Sequence, residues 1–237
     1  MKLSAPIYRL KRQAKVLSRA EGIPLHEALE RIATKEGFTR WSLLAAHASA
    51  AAPASALLAR LRPGDLVLLG ARPGHGKTQL SLELTVAAMK SGHQGVFFTL
   101  EYSVTDILNL FNSIGEDPAV FRNTFEFDVS DAISAEYMTA RLSTMPAGTV
   151  VVIDYLQLLD QKRENAELMV QVRVLKAFAR ERGLIMVCIS QIDRAFDASA
   201  GRCPGLNDVR LPNPLDLKLF NKACFLHDGE LEISATS

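Results

Sequence analysis

The most constraining stretch of the chain is an apolar run, a glycine-rich turn and a long apolar segment in direct succession. LVLLG occupies 66–70, ARPGHGKT occupies 71–78, and QLSLELTVAAMKSG runs from 79 to 92. Strand, loop and helix in that order are the setting in which a phosphate loop works. Gly74 and Gly76 let main-chain N–H groups turn inward around an anion. A helix starting near Gly76 adds the positive end of its dipole. Lys77 can reach β- and γ-phosphates, and Thr78 can offer its hydroxyl to Mg²⁺. The candidate nucleotide-binding set is therefore Ala71, Arg72, Pro73, Gly74, His75, Gly76, Lys77 and Thr78. Ala71 stands where the usual pattern has its first glycine, so a chance glycine-rich turn is the competing reading of these eight residues.

Three further apolar runs end in polar residues. TVVVI at 149–153 ends in Asp154, GVFFTL at 95–100 in Glu101, and LIMVCIS at 184–190 in Gln191. Runs without a polar break suit strands buried on both faces. A carboxylate at the tip of a central parallel strand lies at the sheet's crevice, where Asp154 can hold Mg²⁺. Glu101 can polarise an attacking water or serve as an acid near the start of a helix at 103–113; spacing does not choose between them. Gln191 can hydrogen-bond a γ-phosphate oxygen or simply leave a strand as a polar residue. A short strand near 125–129 and helices at 76–91, 133–145 and 164–182 complete an alternation of strand and helix. That predicts an α/β fold, a mostly parallel sheet with helices on both faces. ACFLHDGELEIS predicts a terminal hairpin around Asp228-Gly229.

Charge divides the chain. Residues 1–48 hold nine Lys/Arg against four Asp/Glu, a balance of +5, and residues 49–237 balance at −4. A net charge of +1 excludes a uniformly basic nucleic-acid coat, though not a local patch. Ile7, Leu10, Ala14 and Leu17 predict one helix, Leu25, Ala28, Leu29 and Ile32 a second after Pro24, and Trp41, Leu43 and Leu44 a third. The first carries Lys2, Arg9, Lys11, Arg12, Lys15 and Arg19, with no acid before Glu21. It reads as a phosphate-contacting surface or as a solvated helix face. The small residues at 49–60 read as a linker, though their alanines can extend a helix. The expected domains are a basic helical segment at 1–48, that linker, and a core at 61–237. Three cysteines without metal-site spacing read as reduced thiols. No apolar run reaches the roughly 18–20 residues that span a bilayer, and no export signal is visible. A cytoplasmic protein without membrane contact is expected.

PGDLVLLGARPGHGKT, FFTLEYS, VVIDYLQLL and ENAELMVQVRVLKAFARERGLIMVCISQIDR together resemble the ATPase domain of DnaB-type replicative helicases, within the RecA-like P-loop group. The resemblance covers roughly residues 57–228. It implies hydrolysis of ATP with Mg²⁺. Lys77 and Thr78 would bind phosphate and metal, Asp154 would be the metal-holding acid, Glu101 the catalytic base and Gln191 the γ-phosphate sensor. CPGLNDVRLPNP corresponds to the family's DNA-contacting loop and keeps Pro204, Leu206, Asp208 and Arg210 but loses its Glu-Ser-Gly. Arg210 is the candidate contact to single-stranded DNA. The family's Lys-x-Arg element, which reaches a neighbouring subunit's ATP, has no counterpart before Ser237. Ring-coupled hydrolysis is expected to be slow unless Arg163, Arg173, Arg194 or Arg202 substitutes. The expected function is a DnaB-like ATPase, a DNA helicase or replication-associated enzyme. The alternatives are an ATP-dependent accessory protein that docks a partner through residues 1–48, and a nucleotide-binding relic without turnover. Assembly into a homo-oligomer is left open.

Overall fold

The computed structural model describes residues 3–5, 7–50, 53–160, 166–193, 196, 203–211, 213–227 and 230–236. Three helices open the chain: α1 (Ile7–Glu21), α2 (Leu25–Lys35) and α3 (Trp41–Ala50). Pro24 is the N-cap of α2, where its missing N–H costs no hydrogen bond. The helices enclose a small core of their own, with Leu10, Ala14, Ala28, Ile32, Ala33 and Leu44 buried. Next comes α4 (Pro53–Leu58), six residues long. Its Ala54 and Leu57 are buried among side chains of the sheet that follows. Within the stretch 49–60, α3 runs on through Ser49 and Ala50, and α4 packs against the sheet.

The sheet contains β1 (Leu66–Ala71), β2 (Gly95–Thr99), β3 (Phe125–Asp128), β4 (Val150–Asp154), β5 (Ile185–Gln191), β6 (Lys222–His227) and β7 (Glu230–Ala235). Its order is β3-β2-β4-β5-β1-β6-β7. Every pair is parallel except β6–β7, the terminal hairpin. The hairpin's expected turn, Asp228-Gly229, lies outside the described residues. Connecting helices are α5 (Lys77–Lys90), α6 (Val104–Ser113), α7 (Ala135–Arg141) and α8 (Leu168–Arg182). The expected helix at 133–145 is shorter: Ser134 caps its start, accepting from the Tyr137 N–H, and Leu142 is its C-cap.

Side chains alternate across each strand, and that splits the apolar runs between two layers. Leu66, Leu68, Val151, Ile153, Met186 and Cys188 pack with α7 and α8. Val67, Leu69, Val150, Val152, Val187 and Ile189 pack with α4, α5 and α6. The central strands β1, β2, β4 and β5 are covered on both faces, so they carry no polar alternation, and their carboxyl tips converge on one edge. Cys188 and Cys224 are buried, and burial pushes both thiols up to about 12, which makes them inert packing residues. Among the described residues, no helix is long and apolar enough to cross a membrane.

Candidate nucleotide-binding site

β1 ends at the fully buried Ala71, and the chain turns at once. Gly74 and Gly76 take φ of 79° and 82°, a backbone that L side chains rarely adopt. A Cβ at either position would meet nothing within 4 Å, so conformation and not crowding reserves them for glycine. The His75 N–H donates to the Arg72 carbonyl at 3.2 Å and closes the turn. α5 begins at Lys77 with Gly76 as N-cap and no side-chain cap. Its first amides are thereby left for an anion.

The Thr78 hydroxyl donates to Asp154 Oδ2 at 2.9 Å. β5 lies between β1 and β4, so this bond reaches across a strand from the phosphate loop to the acidic tip. Asp154 is 0% exposed, and among the described residues its Oδ1 has no hydrogen-bond partner. Burial pushes its carboxyl up to about 6; the Thr78 bond opposes that rise, Glu101 adds to it and Lys77 opposes it. Asp154 therefore feels the charges of both Lys77 and Glu101. A buried carboxylate oxygen without a partner beside a hydroxyl is a hard-oxygen donor set. It suits Mg²⁺, which keeps several waters and uses one or two protein oxygens plus phosphates. Among the described residues, no group of three or more His, Cys, Asp or Glu could hold a metal alone.

Glu101 follows the tip of β2, where Thr99 pairs with Asp154. It is exposed, and its N–H donates to Thr99 Oγ1 at 3.1 Å. Capping of α6 falls to other residues. Ser103 accepts from the Asp106 N–H, and the Asp106 carboxylate accepts from the Ser103 N–H at 2.9 Å. Glu101 stands two residues before this N-cap, near the positive end of the helix. Gln191 closes β5 opposite Ala71. Its carbonyl accepts the Arg210 N–H at 2.8 Å, and the Arg210 carbonyl accepts from Gln157 Nε2 at 3.0 Å. The Arg210 side chain is exposed. Arg173 is exposed on α8, whereas Arg163, Arg194 and Arg202 lie outside the described residues.

Two neighbours of this site leave no trace in the sequence pattern. Gln157 joins the turn after Asp154 to Arg210. His227 stacks on His75 with ring centroids 6.1 Å apart and planes within 5°. Both contacts depend on strand order: the first on β4 pairing with β5, the second on β6 pairing with β1.

Residues 112–213 match the family described as DnaB-like helicase C terminal domain. Over that segment the chain is similar to DnaB-like helicases. The matched segment contains Asp154, Gln191 and Arg210, while the loop at 71–78 and Glu101 precede it. The replicative DNA helicase DnaB of Mycoplasma genitalium is 27% identical over 184 residues, covering 63% of this chain and 39% of that protein. Its counterpart in Helicobacter pylori is 26% identical over 179 residues, covering 62% and 37%. The chain thus spans about two fifths of the length of these relatives. Among solved structures, a DnaB-like replicative helicase, described with its interactions with primase, superposes with a TM-score of 0.53 at 20% identity, covering 74% of this chain and 52% of that one. A structure described as an ATPase domain gives 0.51 at 20%, covering 69% of each chain. A KaiC-like protein of Pyrococcus horikoshii gives 0.50 at 18%, covering 72% and 76%. The fold is the RecA-like P-loop ATPase fold.

Proposed function

We propose that the chain binds ATP with Mg²⁺ at the loop 71–78 and hydrolyses it as a DnaB-like helicase or replication-associated ATPase on DNA. One observation carries the reading: Thr78 hydrogen-bonded to a buried Asp154 that keeps one carboxylate oxygen unpartnered. Main-chain N–H groups at 74–78 and the Lys77 ammonium grip the phosphates. Thr78 and Asp154 hold Mg²⁺, which when bound offsets the charge on the transferred phosphoryl group. Glu101 takes a proton from the attacking water. The Gln191 amide bonds the γ-phosphate, and the hydrogen bond from Arg210 to its carbonyl passes that state to the stretch carrying Arg210. Arg210 contacts single-stranded DNA. The protein works in the cytoplasm without a membrane, as a homo-oligomer or with a protein partner.

A second reading, an ATP-dependent accessory protein, draws support from the separate core of the three N-terminal helices. Glu101→Gln is expected to cut turnover by a factor of about 10² or more, the scale of a general base, with nucleotide binding kept. Turnover that survives this change removes Glu101 from the role of base. A forked duplex left intact by a chain that hydrolyses ATP favours the accessory reading.

A further inference from the structure

The three-helix unit carries a charge asymmetry that its own contacts define. All four of its acids are engaged locally. Glu21 and Glu27 accept from Arg31 at 2.6 and 2.8 Å. Glu30 accepts the Trp41 N–H at 2.9 Å. Glu36 accepts the Ser4 N–H at 2.8 Å together with the Ser4 hydroxyl, and those bonds hold its carboxyl below the usual range. Arg12, Lys15 and Arg19 on α1 are exposed, and among the described residues none of them meets an acid.

These three cations share one face. Residues 12, 15 and 19 follow i, i+3, i+7 spacing, and at 1.5 Å rise per residue they span roughly 10 Å of helix axis. The opposite face holds Leu10 and Ala14, which are buried in the small core. Val16 is the apolar residue among the cations, at 62% exposure.

We infer that this face of α1 binds the phosphate backbone of duplex DNA, as a contact separate from the nucleotide site and independent of the ATPase reading. A rigid helix holding three uncompensated cations at fixed spacing complements a rigid double helix with a phosphate every 3.4 Å of axis per strand. Single strands are held by rows of stacking aromatics as much as by charge, and α1 holds a single aromatic, Tyr8, one turn before Arg12. Protein partners need aromatic or pocket-filling anchors, and Val16 alone does not provide one.

The test uses the full chain without nucleotide and a fluorescein-labelled duplex of about 20 base pairs, with anisotropy read across salt. Three phosphate contacts contribute a slope of about −2.7 in log affinity against log salt. R12Q/K15Q/R19Q is expected to lose that part of the slope. Wild type should then lose roughly forty-fold more affinity than the variant between about 50 and 200 mM salt. R12K/R19K should keep the wild-type slope. So should R122Q/R180Q/K218Q, which removes three exposed cations from the sheet domain. Thermal unfolding of all variants should match wild type. An unchanged slope in R12Q/K15Q/R19Q overturns the inference, as does an equal loss in the sheet-domain variant or an equal loss on a single strand of the same length. Loss of polyglutamate binding with duplex binding intact also overturns it, assigning the face to an acidic protein.

Discussion

In the three-helix unit the acids sit near the surface and each meets a neighbouring donor, while cations of α1 face water alone. In the sheet domain the decisive acid is buried at a strand tip, and the groups that act on it, Thr78, Glu101 and Lys77, come from other elements. A small helical core of six buried residues has no interior in which to hide a charge, so whatever it recognises must be met on its outer faces. A sheet covered on both sides can keep a carboxylate dry, and dryness makes that carboxylate respond to a metal.

The largest effect that separates these regions is expected at Asp154. The folded, nucleotide-free protein holds its proton up to about pH 6, whereas the unfolded chain sheds it near the usual 3.8. Stability therefore falls as pH rises from about 4 to about 6 and stays low above. Asp154→Asn removes that burial cost while leaving an acceptor for Thr78. Its Tm at a pH of about 7.5 should exceed that of wild type, the gain should vanish toward pH ~4, and turnover should be lost. A variant less stable than wild type at neutral pH would mean that the carboxylate is not buried uncompensated.

An effect on stability alone, with no loss of turnover chemistry, tests the boundary between the two regions. Leu57 is fully buried in the sheet's layer, so Leu57→Ala should cost the sheet domain about 2–5 kcal/mol. Leu10 is fully buried in the helical core, and Leu10→Ala should destabilise that unit while nucleotide binding persists. Differential scanning calorimetry distinguishes the cases. One transition lowered equally by both changes would join the regions into a single cooperative body.

Much of the sheet domain was legible because its strands are buried on both faces. Uninterrupted runs such as Val150–Ile153 and Leu66–Leu69 declare themselves, and the polar residue after each marks a tip. The loop at 71–78 is local chemistry, so its residues could be named without the fold. Legibility failed where small residues hide helicity, as at α4, where Ala54 and Leu57 look like linker until the sheet buries them. It failed also where partners meet only through strand order. Gln171 shows this: it is buried on α8, its Oε1 accepts the Ala135 N–H at 2.9 Å, and its Nε2 donates to the Ala166 carbonyl at 2.7 Å. Nothing in the pattern of that helix announces a buried polar clasp. The same holds for the path from Gln157 through Arg210 to Gln191.

The central claim is that Lys77, the amides of its loop and the Thr78–Asp154 pair form one site for ATP with Mg²⁺. Titration calorimetry of the full chain with ATP in the presence of Mg²⁺ tests it most directly. Saturable uptake at one site, abolished by Lys77→Ala, is the predicted result. No uptake by wild type, or uptake undiminished by Lys77→Ala, would contradict it.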